Sequence, residues 1–423
     1  MQGPTLALHW LISEGFEGLT DICADTCRGK LYCWSWPMGV SVIDLHRRKV
    51  TANLFRGPND DKPASGCVNR LLGKTYVLME DGGVLVLDGA ADTVVGSFSM
   101  DSALQWSHAA CAAPAGRVLC MAGEFGLGAL IDCTTDSVVG TFRLDYSAHV
   151  IQAGFDGTTF LVATAGYLYV IEAKTGAILS SLFAGPNAAA LCHAPDLQKL
   201  YCADESFGRL YVFSASGDSL VGYVELDDNV DCLCYSPTDS KLYATSTYSD
   251  VVHVVDCAHD VLTTCIEVAG SGRRSPPAYS SFGDRIYFTL GDSLGVIDCT
   301  VDSVATWVPH EWHNPCSPQV FPALRLVSVT SVDPFITIFS DPPAREAVTA
   351  ATTQRTEPTV TRNELRLTGS GPSCLFDLSG RRVLDLLPGQ NDLRRLPPGI
   401  YFLREQTADD RGAASTRKLV VLQ

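Results

Sequence analysis

The sequence is poor in charge and in helical signals, and it has no long apolar run. Only 18% of its 423 residues are charged, and no stretch keeps the 3.6-residue periodicity of an amphipathic helix. No segment approaches the roughly 18 consecutive apolar residues that a membrane-spanning helix needs. Strand-favouring residues and glycine dominate, so we predict an almost entirely β protein.

Apolar segments recur along most of the chain at a nearly constant spacing. Each repeat is a short β-type run, a polar turn and a second β-type run, as in residues 85–98, 130–142 and 296–307. The apolar anchors of the repeats are Ile43, Leu87, Ile131, Ile171, Phe213, Val255, Ile297 and Ile338. Successive anchors lie 40 to 44 residues apart, which accommodates four short strands and their turns, as one β-propeller blade requires.

The eighth repeat lacks its fourth strand. Residues 323–329 and 334–339 supply two strands, and the two prolines after Asp341 cannot continue a ladder. The apolar stretch Thr5–Ile12 is unassigned at the other end of the chain, and a strand from it would remove the exposed edge. We therefore predict eight four-stranded blades over residues 1–341, closed by the N-terminus. Seven blades, the commoner number for such repeats, is the alternative.

The second strand of several repeats begins with the same sequence motif. Lys199-Leu200-Tyr201 opens a second strand, and the same Lys-Leu-Tyr string stands at residues 30–32 and 241–243. A Lys-Leu-Tyr strand followed by a Val-Ile-Asp strand resembles the YVTN-type (YncE-like) β-propeller repeat over roughly residues 20–341. This resemblance implies the propeller fold and leaves the chemistry open, because propellers host both enzymes and binding proteins.

The charge divides the chain into two parts. Residues 1–341 carry 19 Lys and Arg against 38 Asp and Glu, a net charge of −19, whereas residues 342–423 carry 12 against 9. Such an acidic propeller would repel a phosphate backbone, so we expect no nucleic-acid partner. Residues 342–360 are rich in Pro, Ala and Thr and are interpreted as a linker. Residues 361–423 break the repeat and alternate like strands, which predicts a small C-terminal β-sandwich.

The C-terminal segment resembles the sorting domain of the type IX (Por) secretion system. The matching residues are Asp377, Leu378, Ser379, Gly380, Arg381, Pro398, Gly399, Tyr401, Arg417 and Lys418. The resemblance implies cargo of the type IX machinery, carried across an outer membrane and secreted or held at the cell surface. Such cargo normally also carries an N-terminal export signal. Residues 1–15 have no basic n-region and no adequate apolar core, so we interpret the start as misassigned or truncated.

Sixteen cysteines would ordinarily suggest disulfides in an exported protein. Several occupy matching places in different repeats, as Cys192 and Cys202 do in the first and second strands of one blade. Repeat-locked placement favours small buried core residues with free thiols. Cross-strand bridges within hairpins are the alternative, and metal binding is disfavoured because no pair of Cys-x-x-Cys motifs exists.

No convincing catalytic set is present. The Gly-x-Ser-x-Gly string at residues 291–295 falls in a repeat turn rather than between a strand and a helix, so we do not expect a nucleophile elbow. His310 and His313 lack the His-Glu-x-x-His spacing that places two imidazoles on one helical face. We interpret their segment as a surface loop, with a metal site as the weaker alternative.

Acidic residues occupy several of the connections between predicted blades, which should emerge on one face of the ring. They are Asp60, Asp61, Asp101, Asp145, Asp227 and Asp228. Carboxylates that converge at a propeller mouth suit Ca²⁺ or a basic ligand. Asp is equally favoured in solvated turns by its own backbone preferences, and the sequence leaves both interpretations open.

The leading hypothesis is a non-enzymatic propeller that binds an extracellular protein or glycan, or serves as a display scaffold. The alternative is a propeller enzyme, such as a lactonase-like hydrolase or lyase, with a divalent metal at the central mouth. An enzyme should gather several acids, His or Asn around one pocket, and this geometric test discriminates the two hypotheses.

Overall fold

The computed structural model describes residues 8–12, 19–35, 39–54, 62–102, 104–123, 126–226, 228–246, 249–268, 276–291, 293–309, 318–330, 336–341, 359–361, 364–367, 373–376, 382–387, 389–396, 399–406 and 414–421. Contacts divide the chain into two compact units, Met1–Ala344 and Arg345–Gln423. None of the described residues forms a helix long and apolar enough to cross a membrane.

The first unit is an eight-bladed β-propeller in which every blade is a four-stranded antiparallel sheet. The chain begins with β1 (Leu8–Ile12), which belongs to the last blade. Blade 1 contains β2 (Leu19–Asp25), β3 (Lys30–Ser35), β4 (Gly39–Asp44) and β5 (Lys49–Leu54). Blade 2 contains β6 (Pro63–Asn69), β7 (Lys74–Met79), β8 (Gly83–Asp88) and β9 (Thr93–Ser99). Blade 3 contains β10 (Trp106–Ala112), β11 (Arg117–Ala122), β12 (Leu127–Asp132) and β13 (Ser137–Arg143).

The next three blades repeat this order. Blade 4 contains β14 (Ala148–Ala153), β15 (Thr159–Thr164), β16 (Gly166–Glu172) and β17 (Ile178–Gly185). Blade 5 contains β18 (Ala188–Ala194), β19 (Lys199–Asp204), β20 (Arg209–Ser214) and β21 (Leu220–Glu225). Blade 6 contains β22 (Cys232–Ser236), β23 (Lys241–Thr245), β24 (Val251–Asp256) and β25 (Val261–Glu267).

The last two blades complete the ring. Blade 7 contains β26 (Ala278–Ser280), β27 (Arg285–Leu290), β28 (Ser293–Asp298) and β29 (Ser303–Pro309). Blade 8 contains β30 (Gln319–Phe321), β31 (Leu326–Thr330) and β32 (Ile336–Ser340), with β1 as its fourth strand. Within the described residues, three short 3₁₀ helices follow inner strands: Ala113–Ala115, Pro195–Leu197 and Pro322–Leu324.

The prediction of eight blades closed by the N-terminus is confirmed. Strand β1 pairs antiparallel with β32, with Trp10 opposite Ile338 and Ile12 opposite Ile336. All eight repeat anchors lie in third strands with none of their surface exposed. The 40–44-residue period is therefore the number of residues from one buried third strand to the next.

Neighbouring blades are joined by an arrangement that we call the interblade clamp. A Lys and a Tyr of one second strand bind an Asp in the turn before the outer strand of the next blade. In blades 6 and 7, Lys241 Nζ donates to Asp302 Oδ2 at 2.8 Å, and Tyr243 Oη donates to Asp302 Oδ1 at 2.7 Å. The full clamps are Lys74 and Tyr76 with Asp136, Lys199 and Tyr201 with Asp260, and Lys241 and Tyr243 with Asp302.

Blade 4 is joined to its neighbours in another way. The tyrosine position of the clamp holds Leu119 in blade 3 and Leu161 in blade 4. Histidines of the inner strands make the polar contacts there: His149 Nδ1 lies 3.2 Å from the Ala188 carbonyl oxygen, and His193 Nε2 lies 3.3 Å from that of Ala153. The inner strands of blades 4 and 5 are thus tied through imidazoles.

Fourteen cysteine side chains that the structure describes form no disulfide, and all of them except Cys27 and Cys265 are buried or half-buried, in agreement with the core interpretation. The ladder explains why the alternative of bridges within hairpins is wrong for blade 5. Cys192 lies opposite Tyr201, and Cys202 lies opposite Leu191. Because neighbours along a strand point to opposite faces, the Cys192 and Cys202 side chains lie on different faces of the sheet. Burial raises the pKa of both thiols to about 12.

The second unit is a small all-β body. Its strands are β33 (Thr359–Thr361), β34 (Glu364–Leu367), β35 (Ser373–Phe376), β36 (Arg382–Leu386), β37 (Gly389–Asp392), β38 (Gly399–Gln406) and β39 (Ala414–Val421). One sheet has the order β33-β39-β38-β35-β36, and β34 pairs with β37. Leucines from both sheets share one core, consisting of Leu365, Leu375, Leu386, Leu393 and Leu403, as expected for a β-sandwich.

The predicted linker, residues 342–360, lies almost entirely outside the described residues, of which only Thr359 and Val360 belong to it.

Candidate functional site

The most distinctive surface of the propeller is a continuous row of aromatic rings across blades 4 and 5. We call it the aromatic strip. Ring contacts link Tyr146, Tyr167, Phe183, Tyr211 and Tyr223, and Phe207 joins them through the guanidinium of Arg209, which lies near both the Tyr223 and the Phe207 rings. The residues come from the connection before blade 4, from third and outer strands, and from a turn of blade 5. They lie towards the ends of strands where blades are connected, so the strip follows the rim of one face of the ring.

Strand register places these rings side by side. Tyr167 of β16 lies opposite Phe183 of β17, and Tyr211 of β20 lies opposite Tyr223 of β21. Residues directly opposite in an antiparallel ladder share a face and lie close enough for their rings to touch. Each blade therefore presents one cross-strand aromatic pair.

The two pairs join across the blade junction. The ring centroids of Phe183 and Tyr211 are 5.9 Å apart with perpendicular planes, and those of Tyr167 and Phe183 are 6.4 Å apart. At one end Tyr146 stacks on Tyr167 at 5.6 Å. These separations are within the range of favourable aromatic pairs, so the rings support each other as a semi-rigid surface.

Much of the strip faces solvent. Tyr146 is 43% exposed, Phe183 51%, Tyr223 53% and Phe207 61%, while Tyr211 beneath them is only 5% exposed. Exposed aromatic side chains that cluster in this way mark interaction sites more often than scattered ones do. The strip is therefore the candidate functional site.

A guanidinium lies at the blade 5 end of the strip. Arg209 Cζ is 4.9 Å from the Tyr223 ring centroid and 5.9 Å from that of Phe207. Two nitrogens of Arg209 donate to Glu225 Oε1, at 2.8 Å and 3.1 Å. The hydrogen bonds to Glu225 raise the pKa of this guanidinium, so the strip already accommodates a cation on its ring faces.

Two of the predicted ligand-face acids flank the strip. Asp145 immediately precedes Tyr146 and is exposed; its backbone N–H donates a hydrogen bond to the hydroxyl oxygen of buried Tyr169. The carbonyl oxygen of Asp228, also exposed, lies against Gly208 beside Phe207. The structure thus places these two acids at opposite ends of one surface.

Asp101 lies elsewhere on the ring. Its carbonyl oxygen accepts a hydrogen bond of 3.0 Å from Trp106 Nε1. A cavity of about 360 Å³ between blades 2 and 3 is lined by Lys62, Glu80, Gln105 and Trp106 among others. The charged residues of the lining are one cation, Lys62, and one carboxylate, Glu80, so this cavity does not bring several acidic side chains together.

The other predicted ligand-face residues, Asp60, Asp61, Asp227, His310 and His313, lie outside the described residues. Within the described part of the chain, no group of three or more His, Cys, Asp or Glu side chains converges in a way that could hold a metal ion.

Four of the ten predicted sorting residues lie in strands that the structure describes. Gly399 and Tyr401 lie in β38, and Arg417 and Lys418 lie in β39, its antiparallel partner. Tyr401 is opposite Leu419, so these two parts of the predicted signal form one hairpin. Asp377, Leu378, Ser379, Gly380, Arg381 and Pro398 lie outside the described residues.

The sequence analysis did not identify the aromatic strip, although the repeats contain a signal for it. The positions of Tyr211 and Tyr223 correspond, counted from the anchors, to Leu85 and Ser97 in blade 2. The aromatic pair is therefore a departure from the repeat. Comparing blades position by position for such departures would have pointed to blades 4 and 5.

Neither a protein-family model nor a curated protein sequence matches this chain. Solved structures do match. BamB from Moraxella catarrhalis aligns with a TM-score of 0.61 and 12% identity, over 79% of this chain and 100% of that chain. The C-terminal WD40 domain of Sif2 aligns with a TM-score of 0.67 and 11% identity, over 80% and 98%.

The mitotic checkpoint complex contains a chain that aligns with a TM-score of 0.52 and 12% identity, over 79% of this chain and 91% of that chain. At these identities the likeness shows the fold alone. The protein is an eight-bladed β-propeller similar in architecture to WD40 and BamB propellers.

Proposed function

We propose that this protein is a binding module that takes its ligand on the aromatic strip and is exported through its C-terminal unit. It acts outside the cell or at the outer cell surface, and the type IX machinery reads the C-terminal unit as an address. The strip is the single observation that carries the binding role. It is a large exposed aromatic surface on a rigid ring, and interface hot spots are enriched in such residues.

A binding role also agrees with the kind of proteins that share this architecture. One of the similar solved structures is a protein assembly, the mitotic checkpoint complex. A propeller of this form can present a surface without moving, because each blade is packed between two others. Preorganised surfaces lose little conformational entropy when a ligand binds.

Export is supported by the ordered sequence elements of the C-terminal unit. The strands that carry Gly399, Tyr401, Arg417 and Lys418 form one hairpin. A receptor can read such a compact hairpin independently of the propeller. The unit is also a separate compact body with its own leucine core, as expected for a sorting domain that folds independently of the propeller.

The export role is tested by comparing the full chain with a chain that ends at Ala344, both supplied with an N-terminal export signal in a host that has a type IX system. The shorter chain keeps Asp341, which accepts a 2.7 Å hydrogen bond from Tyr287 in blade 7. We expect the full chain at the surface or in the medium, and the shorter chain in the periplasm.

Both chains should show the same propeller melting temperature, which controls for misfolding of the shorter form. Equal export of the two chains would contradict the address role and leave the C-terminal unit as an accessory domain.

A further inference from the structure

Both ends of the aromatic strip combine exposed aromatic side chains with an exposed carboxylate. At the blade 5 end, the Tyr223 and Phe207 rings and the Glu225 carboxylate together hold the Arg209 guanidinium. At the other end, the exposed Tyr146 ring stands next to the exposed Asp145 carboxylate in sequence. Within the described part of the chain, no cation lies over Tyr146. One end is thus filled by the protein's own arginine, and the other is open to a second one.

The surroundings of the strip favour a cationic ligand. Asp145 and Asp228 stand at its two ends, and Glu205 lies in the same turn as Phe207. Beneath the strip, Asp204 is fully buried, and its Oδ2 has no hydrogen-bond donor among the described residues. Around them, residues 1–341 carry a net charge of −19. Negative potential over an acidic surface attracts and orients cations.

The exposed aromatic rings and the acidic surroundings together favour a guanidinium over other ligand groups. Planar guanidinium groups stack on aromatic faces and also bind carboxylates through two parallel hydrogen bonds. An ammonium ion is more strongly hydrated and lacks the planar stacking surface. A neutral sugar can hydrogen-bond the flanking carboxylates but gains no charge pairing with them, and a phosphorylated ligand would be repelled by them.

We propose that the aromatic strip binds an arginine-bearing peptide segment of a partner protein. One partner guanidinium lies over Tyr146 and pairs with Asp145, while neighbouring residues of the segment cross the Phe183 ring towards blade 5. The segment runs along the rim, and its charge complements the acidic propeller. This inference rests on the proposed binding role of the strip and specifies its ligand.

The test uses the full-length protein and a synthetic ten-residue Gly-Arg repeat peptide, with binding measured by calorimetry at low and at physiological salt. In two matched peptides every arginine is replaced, by lysine in one and by citrulline in the other. Lysine keeps the positive charge, whereas citrulline keeps the shape of the arginine side chain and removes its charge. A neutral linear glucan oligosaccharide is the fourth probe. We expect the arginine peptide to bind most tightly, the lysine peptide several-fold more weakly, and the citrulline peptide and glucan not measurably.

Variants locate the site. Tyr146→Leu combined with Phe183→Leu should weaken binding of the arginine peptide about tenfold, because each cation–π contact at a partly desolvated site contributes a several-fold factor. Asp145→Asn should weaken it several-fold and reduce its dependence on salt. The matched control is Phe155→Leu, since Phe155 is 54% exposed on the turn between β14 and β15, at the other end of the blade. It should bind like the parent, and all variants should keep the parent melting temperature.

The outcomes separate this inference from the proposed function. Equal binding of the citrulline peptide, or an unchanged affinity in Asp145→Asn, would overturn the cationic ligand. Glucan binding that disappears in the Tyr146 and Phe183 double variant would also overturn it, while leaving the strip as a binding surface. Arginine-peptide binding that the double variant does not affect would overturn the strip as its site. If none of the four probes binds the parent protein, both the cationic ligand and the proposed role of the strip are wrong.

Discussion

His108 and His193 are half-buried imidazoles on the inner strands of blades 3 and 5. Each forms a hydrogen bond with the backbone of blade 4, His108 at His149 and His193 at Ala153. Burial lowers the pKa of both side chains, because desolvation penalises the charged form. The folded protein therefore keeps both rings neutral at a pH where the unfolded chain, with a His pKa of about 6.5, already binds protons. Their contribution to stability is fully present above that pH and is lost as the pH falls below it.

Replacing both residues by Gln, which cannot titrate, should flatten the dependence of unfolding free energy on pH between about 7 and 5. Each histidine can contribute at most about 1.4 kcal/mol per pH unit to that slope. The measurement is chemical denaturation at a series of pH values, compared with the parent protein. At pH 8 the two proteins should show the same slope, which controls for other groups. If the unfolding free energies of the parent protein and the double variant changed in parallel down to pH 5, these two histidines would not be the source of the pH dependence.

Tyr243 illustrates the energetics of the interblade clamp. Its hydroxyl is buried and donates a 2.7 Å hydrogen bond to the Asp302 carboxylate of the next blade. Burial raises the pKa of Tyr243, so the phenol remains a neutral donor at any physiological pH. Hydrogen bonds to charged groups contribute more than neutral ones, since a carboxylate that loses its donor stays desolvated.

Tyr243→Phe should therefore lower the free energy of unfolding by about 1.5–3 kcal/mol, measured as a shift in the midpoint of chemical denaturation. The comparison variant is Tyr223→Phe on the exposed aromatic strip, which should stay within about 0.5 kcal/mol of the parent. A similar effect of both variants would show that the clamp adds no more than a surface hydroxyl does.

At the level of elements, β1 decides whether the ring is closed. It supplies the outer strand of blade 8, and without it β32 would present unpaired backbone groups along its edge. The pairing joins residues at opposite ends of the propeller, such as Trp10 and Ile338. Closure thus depends on a five-residue strand.

A chain that begins at residue 13 should melt at a lower temperature and aggregate more readily than the full chain. Adding a synthetic peptide of residues 1–12 should restore part of the lost stability. The same peptide with Leu11→Pro should not, because proline cannot donate to the ladder and Leu11 lies opposite Thr337 in the register. An unchanged melting temperature of the truncated chain would mean that β1 does not close the ring.

The outer strands show how an element can depart from its repeat without breaking it. Exposed apolar pairs open the outer strands of several blades, as Val94–Val95, Val138–Val139 and Leu220–Val221 do. The aromatic residues Phe183 and Tyr223 appear further along the same kind of strand. Because the outer strand is packed on one side only, its exposed positions tolerate such changes, and a binding surface can arise there at little cost in stability.

At the level of the whole molecule, contacts separate two bodies with cores of their own. The first contains the acidic propeller, and the second contains a small sheet structure in a segment with a slight excess of basic residues. This division suits a protein in which one body binds and the other serves as an address. The proposed export and peptide-binding experiments address the two bodies separately.

The sequence alone determined the architecture of the propeller. A blade consists of four strands in chain order, so its ladders join residues that are near in sequence and leave a visible period. Turn residues recur for the same reason: the Asp of each full clamp, such as Asp136 and Asp302, also has a positive φ. The missing fourth strand of blade 8, together with the apolar residues 5–12, was enough to predict closure by the N-terminus.

Only the tertiary structure decided which surface these repeats present. The aromatic strip combines a connection, a turn and two cross-strand pairs, and its continuity depends on the contact between Phe183 and Tyr211 across a blade junction. Likewise, the clamp joins residues about sixty positions apart, such as Tyr76 and Asp136, and the faces occupied by Cys192 and Cys202 follow from ladder register. Contacts between blades depend on how the sheets pack, and a residue that recurs in the repeat, such as the Asp of the clamp, does not show by itself which side chain of the neighbouring blade it meets.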